Sequence, residues 1–382
     1  MTQRVVVVGG GYAGVMAANR LAGSEGRGSR RSRGPRGAVE VVLVNERDAF
    51  VERIRLHEYA AGVRPLPVRP FGDVLHPAVR LEVGRAERID PAGRRVLLAD
   101  REVPYDVLVY AAGSTARTDA GTDAGTDEPD VATAESATVA RERVRALPPG
   151  AAVLVRGAGH TGVELAAELR GRRPDLAVHL LARGGVAPAL GARGARAAAV
   201  RLGRLGVTVH ASERTLPSTA LTLRADGFAG ASLAAASGLP VDERGRLLVG
   251  PDLRAAGDPR VVGAGDGCRV VGPGTDHLRM GCAAALPQGA HAADVALAVL
   301  DGRPAPVLDA GFALQCVSLG RGDGIIQTVR PDDTARALRL HGVAAAGVKE
   351  LVCRRTVHWL AGEARRPGSY RWPAGPRTAA PA

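Results

Sequence analysis

Val5 to Val8 form an unbroken apolar run a few residues into the chain. Four consecutive β-branched residues suit a strand buried on both faces. Behind them Val15, Ala18 and Leu21 recur every third position, the spacing of a helix that rests one side on a core. Residues 24–37, SEGRGSRRSRGPRG, break the pattern. They have no apolar period and predict a solvated, mobile insertion. A second strand follows at 39–46, VEVVLVNE, and a short helix at 50–62, FVERIRLHEYAAG. Strand and turn alternate from 79 to 110. Residues 115–130 repeat DAGT, contain no core residue and predict an acidic linker with a domain edge close behind it.

The same order then repeats. A strand at Val153–Val155 leads through a glycine turn into a helix ending near Arg170, and a strand covers 176–182. A helix and another strand follow. The run RVVGAGD predicts a strand that ends at Gly265 and Asp266, and residues 281–300 read as a helix. Residues 311–361 mix short strands with the helical stretch VKELVCRRTVHWLAG, and the Pro-, Gly- and Arg-rich end reads as a disordered tail. The fold class is α/β.

Composition narrows the class. At 382 residues the chain calls for two or three domains, and a hydrophobic share of 46% supports their cores. The net charge of +12 invites a nucleic-acid reading. The charge is arginine spread along the whole chain, with Lys349 the single lysine, and no aromatic residues are interleaved for base stacking, so nucleic acid is not expected as a partner. Cys268, Cys282, Cys316 and Cys353 are scattered, which predicts reduced thiols in a cytoplasmic protein and no metal site. The early strand argues against a signal peptide, and no uninterrupted apolar run reaches transmembrane length.

Two glycine turns carry the chemistry. Gly9-Gly10-Gly11-Tyr12-Ala13-Gly14 satisfies G-x-G-x-x-G directly after a buried strand and before a helix. In this pattern the first glycine makes the turn, the second lets a pyrophosphate approach the backbone, and the third lets helix and strand pack closely. The ribose partner is expected at the end of the second strand, where Asn45 stands in place of the usual acid and Glu46 follows. Gly157-Ala158-Gly159-His160-Thr161-Gly162 repeats the motif. Glu164, two residues on, is placed to face a bound nicotinamide. Glu168 shares its helix face and is expected to be solvated among arginines. The next strand ends at Arg183 rather than a carboxylate. That suits a 2′-phosphate and hence NADPH, and equally suits one more arginine in an arginine-rich chain.

The first turn, the second turn and the late Gly265-Asp266 together resemble the FAD-dependent pyridine nucleotide oxidoreductases, over residues 3 to about 300. The resemblance implies two Rossmann-like FAD- and NAD(P)-binding domains, the second inserted in the first, plus a small C-terminal α+β segment. The corresponding boundaries are 1–135, 136–255, 256–308 and 309–382. It assigns Gly9, Gly11 and Gly14 to the FAD pyrophosphate and Asp266 to the ribityl region. Gly157, Gly159 and Gly162 go to NAD(P)H, and Gly113 to the connection leaving the FAD domain. With no cysteine before Cys268, the redox disulfide of one branch is absent. The segments FVERIRLHEYAAG and GVELAAEL are similar to those of type II NADH dehydrogenases and apoptosis-inducing-factor-like oxidoreductases. The implied activity is hydride transfer from NAD(P)H to FAD and electron delivery to a quinone or other diffusible acceptor. A ferredoxin-type reductase, a flavin monooxygenase and a slow redox sensor are the alternatives. Arg53, His57 and Gln288 are candidates near the flavin, His57 and Arg53 being equally explained as structural hydrogen-bonding groups. The C-terminal helix either closes the fold or rests as a peripheral contact on the inner face of a membrane.

Overall fold

The computed structural model describes residues 2–23, 38–117 and 128–377. The basic insertion and most of the acidic repeat therefore lie outside the described residues. The valine run forms the strand Gln3–Val8, flanked in parallel by Val39–Asn45 and Val107–Tyr110, with Val5 opposite both Val41 and Val107. Val5, Val6 and Val7 are fully buried. An eight-stranded sheet grows outward from this centre, through Asp258–Gly263 on one side and Arg80–Val83 on the other. Helices Tyr12–Ala22 and Cys282–Leu300 cover one face of its centre. A side chain at Gly289 would overlap the carbonyl of Ala13, so glycine is what allows these two helices to touch.

The second unit is a parallel sheet of four strands, Thr208–His210, Ala177–Leu181, Ala152–Arg156 and Leu221–Arg224 in spatial order. Its own core forms around Val153, Val155, Leu165, Leu169 and Leu180. Chain passage between the units differs from the sequence expectation. Ser114–Ala116, whose last two residues open the stretch read as a linker, pairs antiparallel with Phe228–Gly230. The outgoing and returning segments thus lie side by side. The return comes before residue 256, because Leu247–Val249 and Arg254–Ala255 already belong to the first sheet. Short strands of three and two residues carry too little period to reveal which sheet they join.

Leu314–Ser318, Gly324–Val329 and Ala335–His341 make an antiparallel sheet, and the helix Gly342–Arg365 follows. That helix lies on the first domain: Asn19 donates to the carbonyl of Leu360, and Arg20 pairs with the buried Glu363. Of the expected frayed tail, the stretch up to Gly375 is docked. Tyr370 is buried between Trp359 and Trp372, and Gly375 N–H donates to Asp309 at 2.6 Å. Aromatic anchors inside a Pro-, Gly- and Arg-rich stretch outweigh its composition. Cys282–Leu300 is long and apolar enough to cross a membrane, but 72% of its most apolar window is buried inside the protein. It serves as a core helix.

Candidate functional site

Both glycine turns use one construction. Gly9 has φ of 105° and Gly157 has φ of 101°, so each chain reverses in the left-handed region where side chains are disfavoured. A Cβ on Gly14 would overlap Gly9 O, and one on Gly162 would overlap Gly157 O. A Cβ on Gly11 or Gly159 would meet nothing within 4 Å. Those two positions are the N-caps of Tyr12–Ala22 and His160–Arg172, where backbone N–H groups emerge unpaired with helix dipole behind them. Each turn is an open cradle for an anion.

A cavity of about 540 Å³ runs from the first cradle along the end of the second strand to Arg53, Gly113 and Ser114. Asn45 is committed within the protein. Its Oδ1 accepts from Gly10 N–H at 2.8 Å and its Nδ2 donates to Arg47 O at 2.8 Å, so it braces the turn against the strand end. Glu46 lines the cavity and pairs with Arg47 at 3.0 Å, remaining half exposed. The Tyr12 side chain is core, edge-on to Phe50 at 5.1 Å, and only its backbone serves the cradle. Ala13 packs beneath Gly265 and Gly289.

Arg53 is the basic end of the cavity. Its Nη2 donates to the Ser114 carbonyl at 2.7 Å and reaches the Ser114 hydroxyl at 3.2 Å. Burial lowers its pKa while nearby Asp266 pulls the other way. Among the described residues no carboxylate lies in ion-pair contact with it, so an anion beside it would recover charge compensation. Gly113, with φ of 74°, has no side chain to displace the guanidinium. Asp266 accepts from Gly281 N–H at 2.6 Å and from the Ser114 hydroxyl at 3.3 Å. Gln288 accepts from Gly265 N–H at 2.7 Å, fixing the turn that presents Asp266. Ser114, which ties Arg53 to Asp266, had no signal in the sequence beyond its place after the Gly113 turn.

His57, Glu164 and His160 lie where the two domains and the C-terminal segment join, whereas Arg183 is exposed and faces Glu213 at 3.8 Å. Glu164 is buried and accepts from Ser318 N–H at 2.9 Å. Lys349 from the C-terminal helix pairs with it at 3.0 Å, and His57 Nε2 lies 3.8 Å away. Burial alone would raise the Glu164 pKa, but Lys349, His57 and Ser318 hold it below the ordinary carboxylate value. His160 is pushed down to about 4, mainly by burial, and is neutral at pH 7. Thr161 follows it in the first helical turn, half-buried. Glu168 is buried, not solvated, because Arg321 arrives from the C-terminal segment at 2.8 Å. Arg321 also pairs with Glu58 at 2.9 Å, and Arg55 bridges Glu52 and Glu350. Apart from Arg55–Glu52, three residues apart, these pairs join segments too distant in sequence for any local spacing to announce. All four cysteines are free thiols. Burial raises the thiol pKa of Cys282 to about 12 and of Cys316 to about 11.

With two cradles and one shared junction in place, the chain can be set beside known proteins. Residues 3–293 match the family model described as pyridine nucleotide-disulphide oxidoreductase. The chain belongs to that family. An NADH dehydrogenase-like protein of Mycobacterium tuberculosis is 32% identical over 331 residues, covering 76% of this chain and 78% of that protein. A type II NADH:quinone oxidoreductase of Mycobacterium tuberculosis is 26% identical over 335 residues, covering 70% and 68%. The sulfide:quinone oxidoreductase of Aquifex aeolicus shares the fold with a TM-score of 0.75 at 17% identity, over 95% of this chain and 92% of that one. As a member of the family the chain is a flavoprotein oxidoreductase that takes hydride from NAD(P)H onto FAD and passes electrons to a diffusible acceptor.

Proposed function

We propose that the first cradle and its cavity hold FAD, that the second cradle holds NAD(P)H, and that the acceptor is a quinone. The observation that carries this reading is the duplicated cradle, with Gly11 and Gly159 open at equivalent places. Bound FAD supplies a two-electron acceptor that can be reoxidised separately. This chain's residues do the rest. Gly9, Gly11, Gly14 and the amides of Tyr12 and Ala13 receive the pyrophosphate. Glu46 faces the adenosine ribose, Asn45 keeping the turn rigid. Arg53 and Asp266 flank the ribityl and phosphate region, with Gly113, Gly265 and Gln288 fixing their backbone. Gly157, Gly159, Gly162 and the backbone at His160 and Thr161 receive the nicotinamide nucleotide.

Glu164, Lys349 and His57 sit at the junction of all three parts and hold the second domain's helix in register with the first. Such positioning is where a protein contributes most to a transfer between two bound partners. Neutral His160 caps the same junction without adding charge.

Anaerobic mixing with NADH or NADPH should bleach the flavin absorbance, and a soluble quinone should restore it over many turnovers. Absence of bleaching with either nucleotide defeats the assignment. Bleaching with reoxidation only by oxygen or a ferredoxin defeats the quinone. A weak peripheral membrane contact would bring such an acceptor within reach. Leu338, Val343 and Leu351, exposed by 72%, 77% and 52%, supply apolar contacts on the last strand and helix. Sedimentation with anionic vesicles checks this, and a protein that stays in the supernatant excludes it.

A further inference from the structure

The strand Ala177–Leu181 ends in Ala182 and Arg183, with no carboxylate for a ribose diol. A carboxylate nevertheless stands there, supplied from the neighbouring strand. Glu213 opens the turn after Thr208–His210, and its Oε1 lies 2.9 Å from Nη1 of Arg156 and 3.8 Å from Nη1 of Arg183. Arg156 is the last residue of the strand before the Gly157 cradle, paired in register with Leu181. Two guanidinia from adjacent strand ends thus converge on a single oxygen. Glu128 approaches the other side of Arg156 at 3.6 Å.

We propose that this cluster is an exchange site for the 2′-phosphate of NADPH, in which the phosphate displaces Glu213 and is held by Arg156 and Arg183. The inference rests on the second cradle being the nicotinamide nucleotide site. Its position is right: strand ends beside the cradle are where a dinucleotide's adenosine ribose lies. Its charges are right, since two guanidinia match a phosphate better than one carboxylate. Glu213 can leave at low cost, because it is 54% exposed and Arg183 is 59% exposed.

The turn itself does not need to move. His210 Nδ1 and Thr215 Oγ1 are 3.0 Å apart, His179 Nδ1 lies 3.0 Å from His210 Nε2, and Thr215 donates to Ser212 O at 2.9 Å. The backbone that carries Glu213 is therefore pinned while its side chain swings. NADH, with a neutral diol, leaves Glu213 in place as a hydrogen-bond acceptor. Glu213 is thus a built-in competitor that narrows the preference for NADPH.

Stopped-flow reduction of the FAD-loaded enzyme by each nucleotide tests this, with calorimetry of 2′,5′-ADP against 5′-ADP as a readout independent of turnover. Glu213→Gln should raise the NADPH-to-NADH ratio of apparent affinities about fivefold, the effect of removing one exposed charge competitor. Arg183→Ala should lower the ratio at least about tenfold, for loss of a charged phosphate contact. 2′,5′-ADP should follow NADPH in both variants while 5′-ADP does not. Reduction that persists with an unchanged ratio in both variants overturns the exchange site and leaves the nucleotide assignment standing. Failure of both nucleotides to reduce the wild-type flavin overturns the two together.

Discussion

Gly159→Leu is expected to give a folded, yellow protein whose flavin nicotinamide no longer reduces at ordinary concentrations. The expectation follows from the space around the residue. A Cβ at Gly159 meets no protein atom within 4 Å, and its backbone is extended with φ of −66° and ψ of −176°, so leucine enters without strain. The leucine instead fills the approach to the helix N-terminus that a pyrophosphate needs. Two charged hydrogen bonds lost, at about 1.5–3 kcal/mol each, correspond to at least about a hundredfold rise in apparent Kd. Gly11→Leu is the mirror experiment. Its site is equally open, so the protein should fold, yet it should purify without flavin absorbance. The pair separates the two sites. Flavin loss in Gly159→Leu, or normal flavin content in Gly11→Leu, would show that the cradles are assigned to the wrong ligands. Gly14→Val is a poor substitute, because its Cβ would overlap Gly9 O and the fold itself would suffer.

These cradles were the most legible part of the chain, and the reason is physical. A buried parallel strand, a left-handed turn and a helix start each impose a local residue type, and here all three fall within about a dozen positions. The late Gly265-Asp266 was legible from its strand and its left-handed turn alone, Gly265 having φ of 77°, since a short strand, Cys268–Val270, follows it in place of a helix. What escaped is contact between distant segments. Asn45 reads as a ribose ligand by position, but only the fold shows it accepting from Gly10 N–H. Gln288 lies in a helix predicted to sit near the flavin, yet its partner is the Gly265 amide 23 residues earlier. Glu168 looks solvated on a helical wheel until Arg321 is brought against it. Glu213 carried no signal, because a carboxylate after the third strand has meaning only beside Arg156 and Arg183. The tail was misread because composition was weighed and its anchors, Tyr370 and Trp372, were not.

Lys349→Met is expected to cost about 3 kcal/mol of stability at pH 7, a deficit that shrinks as pH falls toward 5. Lys349 is the single lysine of the chain, and its ammonium and the Glu164 carboxylate compensate each other's burial at 3.0 Å. In the wild type the Glu164 pKa is lowered by folding, so its contribution is present above the ordinary carboxylate value and is lost as pH falls through the folded one. Burial pulls the Lys349 pKa down, but Glu164 together with nearby Cys353 and Cys316 raises it above the ordinary value, so its contribution is present below the ordinary lysine value and fades only as pH rises through the folded one. Between about pH 5 and 10 the pair therefore contributes fully. Methionine fills the same volume but strands the carboxylate, and its burial then raises its pKa above the unfolded value. A carboxyl with a raised folded pKa is penalised at high pH and relieved by protonation. The deficit of the variant relative to the wild type should accordingly shrink as pH is lowered from 7 toward 5, while His160, held neutral in the folded state, destabilises both proteins over the same range. Urea midpoints across that range measure the difference. Glu164→Gln in the same chain should recover most of the loss, since the stranded charge is gone. A Lys349→Met variant with wild-type pH dependence would show that Glu164 draws its compensation from His57 and Ser318 alone.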